Sequence, residues 1–113
     1  MKAAQRLLIG LILTGGVASA APAAPAPVTA EQFVARCKSD ARFCRTQIVA
    51  AEALLERNRK ACLPARVTKD AMAARVQDTI EDIIDEVPDF KSNPYRVLVE
   101  QIIVFNWPCE PIS

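Results

Sequence analysis

Four cysteines in a chain of 113 residues constrain this fold more than any other feature. They are Cys37, Cys44, Cys62 and Cys109. No two of them form a Cys-x-x-Cys pair, so the spacing favours neither a zinc ribbon nor a thioredoxin-type redox site. In a small exported chain, an even number of cysteines predicts disulfides that reinforce a core too small to be stable alone. We therefore expect two disulfide bonds.

Export is predicted from the amino terminus. Lys2 and Arg6 precede the apolar stretch Leu7–Leu13, and small residues follow at Ala18-Ser19-Ala20. This pattern is typical of a cleaved signal peptide, here residues 1–20. The apolar stretch is shorter than the ~20 residues that span a bilayer, and the residue immediately after the cleavage point is Ala21, not a cysteine that could carry a lipid. The released chain is therefore expected to be a soluble periplasmic protein.

Residues 21–28 are rich in alanine and proline, which predicts a polyproline-like spacer before a single domain at 29–113. The formal net charge of +1 falls slightly below zero once Lys2 and Arg6 leave with the signal peptide. This balance argues against nucleic acid or a membrane as the main partner of the released chain, because both favour a strongly basic surface.

The chain contains no histidine. The Ser-His-Asp and Cys-His catalytic arrangements are thereby excluded, and so are most catalytic zinc sites. Serine and glycine are scarce, and no glycine-rich loop that could hold a phosphate is present. The sequence therefore predicts a protein that is not an enzyme and that binds neither a cofactor nor a metal.

Two helices are predicted in the first half of the domain. Thr29 and Gln32 form a capping box that begins a helix ending near residue 38. Ser39 or Asp40 caps a second helix, which ends near residue 60 because Pro64 follows closely. The apolar positions of this second helix recur every three or four residues and so share one face. They are Cys44, Ile48, Ala51 and Leu55.

Two more helices are predicted in the second half. Thr68 caps the third helix and Pro88 ends it, with a stripe of aliphatic residues that must pack against other elements. The stripe consists of Val76, Ile80, Ile83, Ile84 and Val87. Asn93-Pro94 begins a fourth helix that runs to about Phe105, although its β-branched residues also allow a strand. This helix is apolar almost all round, which predicts a central position or a surface shared with a partner.

Four helices with short connections predict a small all-α, up-and-down four-helix bundle, and the bundle constrains the disulfides. Cys44 and Cys62 would lie ~27 Å apart along a helix, whereas a disulfide needs Cα atoms within ~7 Å. Antiparallel first and second helices place Cys37 beside Cys44. The last helix places Cys109 at the end of the bundle where Cys62 lies. The predicted bonds are therefore Cys37–Cys44 and Cys62–Cys109.

Short motifs surround these cysteines. They are Phe43-Cys44 with Ile48 four residues on, Cys62-Leu63-Pro64 with Val67-Thr68, Pro88 before the last helix, and Trp107-Pro108-Cys109. In order and spacing, over roughly residues 33–109, they resemble the Rap/Tai family of periplasmic immunity proteins, which protect bacteria from cell-wall amidases delivered by type VI secretion. The resemblance implies a helical domain, often dimeric, that binds an effector enzyme and blocks its active-site groove. The family tends to have glycines just after Phe-Cys, whereas residues 45–51 contain none.

Charged residues of opposite sign are the candidate partner contacts. Asp78, Asp82 and Asp85 belong to an acidic run on the third helix, while Arg59 and Lys60 belong to a basic stretch after the second. Either set could dock on a protein surface of opposite charge, and either is also typical of a solvated helix face. Trp107, beside Pro108, is expected to cover the second disulfide.

The resemblance to the Rap/Tai family implies an immunity-type inhibitor of a secreted cell-wall amidase, and the exported helical domain with its apolar last helix fits such a protein acting as a homodimer in the periplasm. A periplasmic stress chaperone and a homodimeric adaptor module are the alternative hypotheses, because both also fit an exported helical domain with a very apolar last helix. The absence of histidine argues against a chaperone that switches at about pH 6.

Overall fold

The computed structural model describes residues 26–109, so the predicted signal peptide and residues 21–25 of the spacer lie outside the described part. Four α-helices follow one another along the described chain. They are α1 (Ala30–Ser39), α2 (Ala41–Arg57), α3 (Lys69–Glu86) and α4 (Tyr95–Asn106), with a 3₁₀ turn at Pro88–Ser92. The predicted all-α bundle is confirmed. No helix within residues 26–109 is long and apolar enough to cross a membrane.

Side-chain caps begin the first three helices. The hydroxyl of Thr29 accepts from the backbone N–H of Gln32, whose side chain accepts from the backbone of Thr29, so the predicted capping box is confirmed. Asp40, not Ser39, caps α2, and Thr68 caps α3. Each of these caps satisfies a backbone donor that the first turn of a helix leaves unpaired, an effect of about 1 kcal/mol.

The start of α4 differs from the prediction. Asn93 has extended backbone, Pro94 occupies the cap position, and no side chain caps the helix. The segment before α1 pairs with this start instead: the N–H of Ala30 donates to the carbonyl of Asn93 (2.8 Å), and the N–H of Tyr95 donates to the carbonyl of Val28 (3.0 Å). Backbone pairing between the two segments thus replaces the predicted asparagine cap.

Helix α4 lies against each of the other three helices. Its inner residues Leu98, Val99, Ile102 and Ile103 are buried. The alternative prediction of a strand for this segment is wrong. The other three helices cover the β-branched residues from several sides, and this burial outweighs their preference for a strand. Phe33 of α1 stacks on Tyr95 at the start of α4, with ring centroids 4.3 Å apart.

Both predicted disulfides are present. Cys37–Cys44 joins the end of α1 to the first turn of α2, with Cα atoms 5.2 Å apart. Cys62–Cys109 joins the α2–α3 connection to the chain beyond α4, with Cα atoms 4.7 Å apart. The N–H of Cys62 also donates to the carbonyl of Trp107 (2.9 Å), so the second bond is accompanied by a backbone contact. The chain beyond α4 is therefore held against the end of α2.

Candidate protein-binding surface

Phe105, in the last turn of α4, is the most exposed large apolar side chain among the described residues. It is 86% exposed, compared with 46% for Val97 on the same helix. Burying a phenylalanine is worth roughly 1.5–3 kcal/mol, and this chain forgoes that gain at Phe105. A single exposed apolar residue needs no explanation, but a contiguous apolar patch marks an interaction site. The residues around Phe105 therefore decide whether it is an isolated exposed side chain or part of an interaction surface.

An apolar groove of about 440 Å³ runs beside Phe105, between α3, the 3₁₀ turn and α4. We call it the α3–α4 groove. Its apolar lining is Ile83, Val87, Phe90, Leu98, Ile102 and Phe105, and its polar lining is Thr79, Glu86, Gln101 and Asn106. The exposed phenylalanine is thus one end of a continuous apolar surface rather than an isolated side chain.

The groove follows from the way α3 packs. Of the aliphatic stripe predicted on this helix, Val76, Ile80 and Ile84 are buried in the core. Ile83 is only half-buried, and Val87 is 43% exposed. The stripe is wider than the strip that α4 can cover, so its outer edge remains open and lines the groove.

On its other side Phe105 borders a second depression, between α4 and the end of α2. Lys60 lines this depression together with Leu55 and Val104. The predicted partner residue Lys60 therefore lies beside the apolar surface around Phe105. Its neighbour Arg59 is also exposed, in the turn that ends α2.

Arg59 holds an unusual backbone conformation. Its φ of 61° lies in the left-handed region, which costs a residue other than glycine about 1–2 kcal/mol. Two hydrogen bonds explain the conformation: the N–H of Lys60 donates to the carbonyl of Leu55 (2.8 Å), and the N–H of Arg59 to that of Glu56 (3.1 Å). This is a Schellman motif, in which the left-handed position usually holds glycine.

Replacing Arg59 with glycine should raise the free energy of unfolding by about 0.5 kcal/mol, because relief of the left-handed backbone outweighs the greater chain entropy of glycine when unfolded. Equilibrium urea unfolding measures the difference. The control is Arg59→Ala, which removes the charge but keeps the β-carbon. Equal stability of the two variants would show that backbone strain at residue 59 is not the cause.

The predicted acidic contacts do not form one site. Asp78, Asp82 and Asp85 are all exposed on α3, and none forms an ion pair with another residue in 26–109. Asp85 lines a depression between α1 and α3, on the opposite side of the helix from the groove. Asp82 stands one turn before Glu86, which lines the groove itself. Only part of the acidic run therefore borders the apolar surface.

Glu52 is a buried charge that the sequence analysis missed. Its side chain is fully buried on α2, one oxygen accepts from the amino group of Lys69 (2.5 Å), and the other has no protein partner. Glu52 follows Ile48 by four residues and precedes Leu55 by three, so helical spacing already placed it on the buried face. Between residues 26 and 109 no group of three acidic, cysteine or histidine side chains could hold a metal ion.

The motif residues around the cysteines lie apart from the groove. Phe43 is half-buried beneath Arg36, whose guanidinium carbon lies 4.2 Å from the ring centroid. Leu63 and Trp107 are half-buried against the core, Pro64 is half-buried and Pro108 is exposed. Phe43, Leu63 and Trp107 thus pack against the bundle near its two disulfides. Comparison of the chain with protein-family models, with curated proteins and with solved structures finds no match in any of the three.

Proposed function

We propose that this protein is a periplasmic immunity protein that binds a secreted cell-wall amidase and blocks its active-site groove. The observation that carries the proposal is the exposed Phe105 beside the α3–α4 groove. Aromatic anchors next to apolar pockets are the features that dominate protein–protein interfaces. The motifs around the cysteines, which resemble those of the Rap/Tai family, supply the class of partner.

The form of the groove favours a protein partner over a small molecule. The groove is open to solvent along one side, and one of its ends is a projecting side chain rather than a wall. A small ligand is usually enclosed on most sides, whereas side chains of a protein fit an open groove and cover its rim. The disulfides support the proposed compartment, because such bonds persist where the environment is oxidising.

The proposal predicts that a secreted amidase is encoded beside this gene, and the test directs that amidase to the periplasm of a susceptible cell. Co-expression of the full chain should restore growth, and the purified proteins should form a complex. Phe105→Ser should weaken that complex by about 30-fold, the effect of losing an interface residue worth 2 kcal/mol. The measurements are survival and the dissociation constant.

Val28→Ser is the matched control, because Val28 is another exposed apolar residue (65%) but does not line the groove. This variant should protect as well as the natural chain. Absence of any complex with the natural chain would overturn the proposal. If the protein instead suppresses the aggregation of unrelated unfolded proteins, the chaperone hypothesis replaces it. The homodimer expected from the apolar last helix stays a prediction.

A further inference from the structure

We infer that the α3–α4 groove binds a cationic amphipathic helix of the partner, with apolar side chains in the groove and lysine or arginine on Asp82 and Glu86. The inference deepens the proposed function and rests on it for the source of the helix. It depends on three features of the described surface: the charge along one rim of the groove, its length, and the kind of backbone that lines it.

The charge on α3 does not serve the stability of the helix. Five carboxylates lie within its last nine residues, with no basic residue in the last turn. They are Asp78, Glu81, Asp82, Asp85 and Glu86. Carboxylates three or four residues apart repel one another, and carboxylates at the end of a helix oppose its dipole. No ion pair within residues 26–109 neutralises them, so a cation from elsewhere would relieve this repulsion.

Two of these carboxylates border the groove. Glu86 lines it, as does Thr79, and Asp82 lies between them at helical spacings of three and four residues. Positions at these spacings share an edge of the helix, so Asp82 and Glu86 form an acidic rim. The facing rim on α4 carries no acidic residue: its polar residues are Gln101 and Asn106, and the side-chain oxygen of Asn106 accepts a hydrogen bond from Arg75 (3.3 Å). A partner with cations on one flank therefore matches this asymmetry.

The dimensions suit a short helix. The lining residues run from Thr79 to Glu86 on α3 and from Leu98 to Asn106 on α4, rises of ~10 Å and ~12 Å at 1.5 Å per residue. This length accommodates about two helical turns, with apolar residues at positions i, i+4 and i+7. Both walls are helices, whose backbone groups are paired internally. An extended peptide would find no open strand edge here to pair with.

A second copy of this chain is a poorer match for the acidic rim. It would present the outward face of α4, where Phe105 projects. On that face of α4 the residues Val97, Gln101 and Val104 carry no charge, and the cation that borders Phe105, Lys60, belongs to the end of α2 instead. A partner helix with its own row of cations beside its apolar face matches both carboxylates of the rim, whereas α4 of a second copy has no such row on this face.

Binding of synthetic helical peptides to the full chain tests the inference. One peptide carries leucines at i, i+4 and i+7 flanked by lysines, and its counterpart carries glutamates in place of the lysines. We expect the lysine peptide to bind at least 10-fold more tightly by fluorescence anisotropy. The double variant Asp82→Lys, Glu86→Lys should reverse this preference. Phe105→Ser should weaken the binding of both peptides.

The matched control is Glu81→Lys with Asp85→Lys, which changes the net charge equally but on the side of α3 that faces α1. It should keep at least a fivefold preference for the lysine peptide. Equal binding of the two peptides, or equal loss in both double variants, would overturn the inference. So would light scattering that shows a dimer from which the lysine peptide is excluded.

These outcomes are separate from the test of the proposed function. If the lysine peptide binds but no amidase does, the groove still binds cationic amphipathic helices and the proposed function fails. If the amidase binds equally well to the natural chain and to the Asp82→Lys, Glu86→Lys variant, the proposed function stands and this inference fails.

Discussion

Replacing Cys62 and Cys109 together with alanine is expected to lower the free energy of unfolding by about 4 kcal/mol. The two cysteines are 47 residues apart, and a bond across so long a loop removes much entropy from the unfolded chain in the chain-entropy model. Domains of this size are stable by only about 5–15 kcal/mol, so the loss is a large fraction of the total. Equilibrium unfolding in urea measures it.

The Cys37–Cys44 bond is the internal control, because it closes a loop of only seven residues. Replacing this pair with alanine should cost about 2 kcal/mol on the same model. A larger loss from the short bond than from the long one would show that native packing, and not loop entropy, sets the contribution of each disulfide.

Replacing Lys69 with methionine is expected to lower the free energy of unfolding by about 3 kcal/mol. The change removes the amino group that contacts Glu52, whose carboxylate is fully buried, and leaves that charge uncompensated. The side chain of Lys69 is 44% exposed, so water partly relieves the loss and the effect lies at the low end of the usual range. Urea unfolding again gives the value.

Two further variants separate this explanation from a loss of packing. Adding Glu52→Met to Lys69→Met should restore most of the stability, since an apolar pair of similar volume replaces a buried ion pair without leaving a charge. Arg45→Met breaks the exposed pair with Asp70, whose side chains are 52% and 73% exposed, and should cost less than about 1 kcal/mol. Equal losses for Lys69→Met and Arg45→Met would contradict the burial argument.

Local signals were sufficient to locate three of the four helix starts. The caps Thr29, Asp40 and Thr68 act within their own first turns, so their effect does not depend on distant neighbours. Asn93 resembled them in sequence, yet its helix is tied by backbone contacts to the segment before α1. That pairing joins residues far apart in sequence, and a local pattern carries no information about it.

The groove was predictable only in part. The sequence of α4 indicated more apolar surface than the other helices of a small bundle can bury, and Phe105 is the residue at which that surface is exposed. Periodicity alone placed Ile83 and Val87 with the core, because it identifies the apolar face of a helix but not how much of it a neighbour covers. The signal for Glu52 was present in its spacing from Ile48 and Leu55.

By itself the sequence determined the helical class, the caps Thr29 and Thr68 and the pairing of the cysteines, since these depend on nearby residues and on the direction of successive helices. It left the cap of α2 open between Ser39 and Asp40. The tertiary structure alone decided which apolar residues stay exposed, which carboxylates border them, and which charge is buried. The physical reason is that burial is a property of neighbours. Phe105 and Ile103 are both apolar residues of α4, yet one is 86% exposed and the other fully buried because only one has a helix against it.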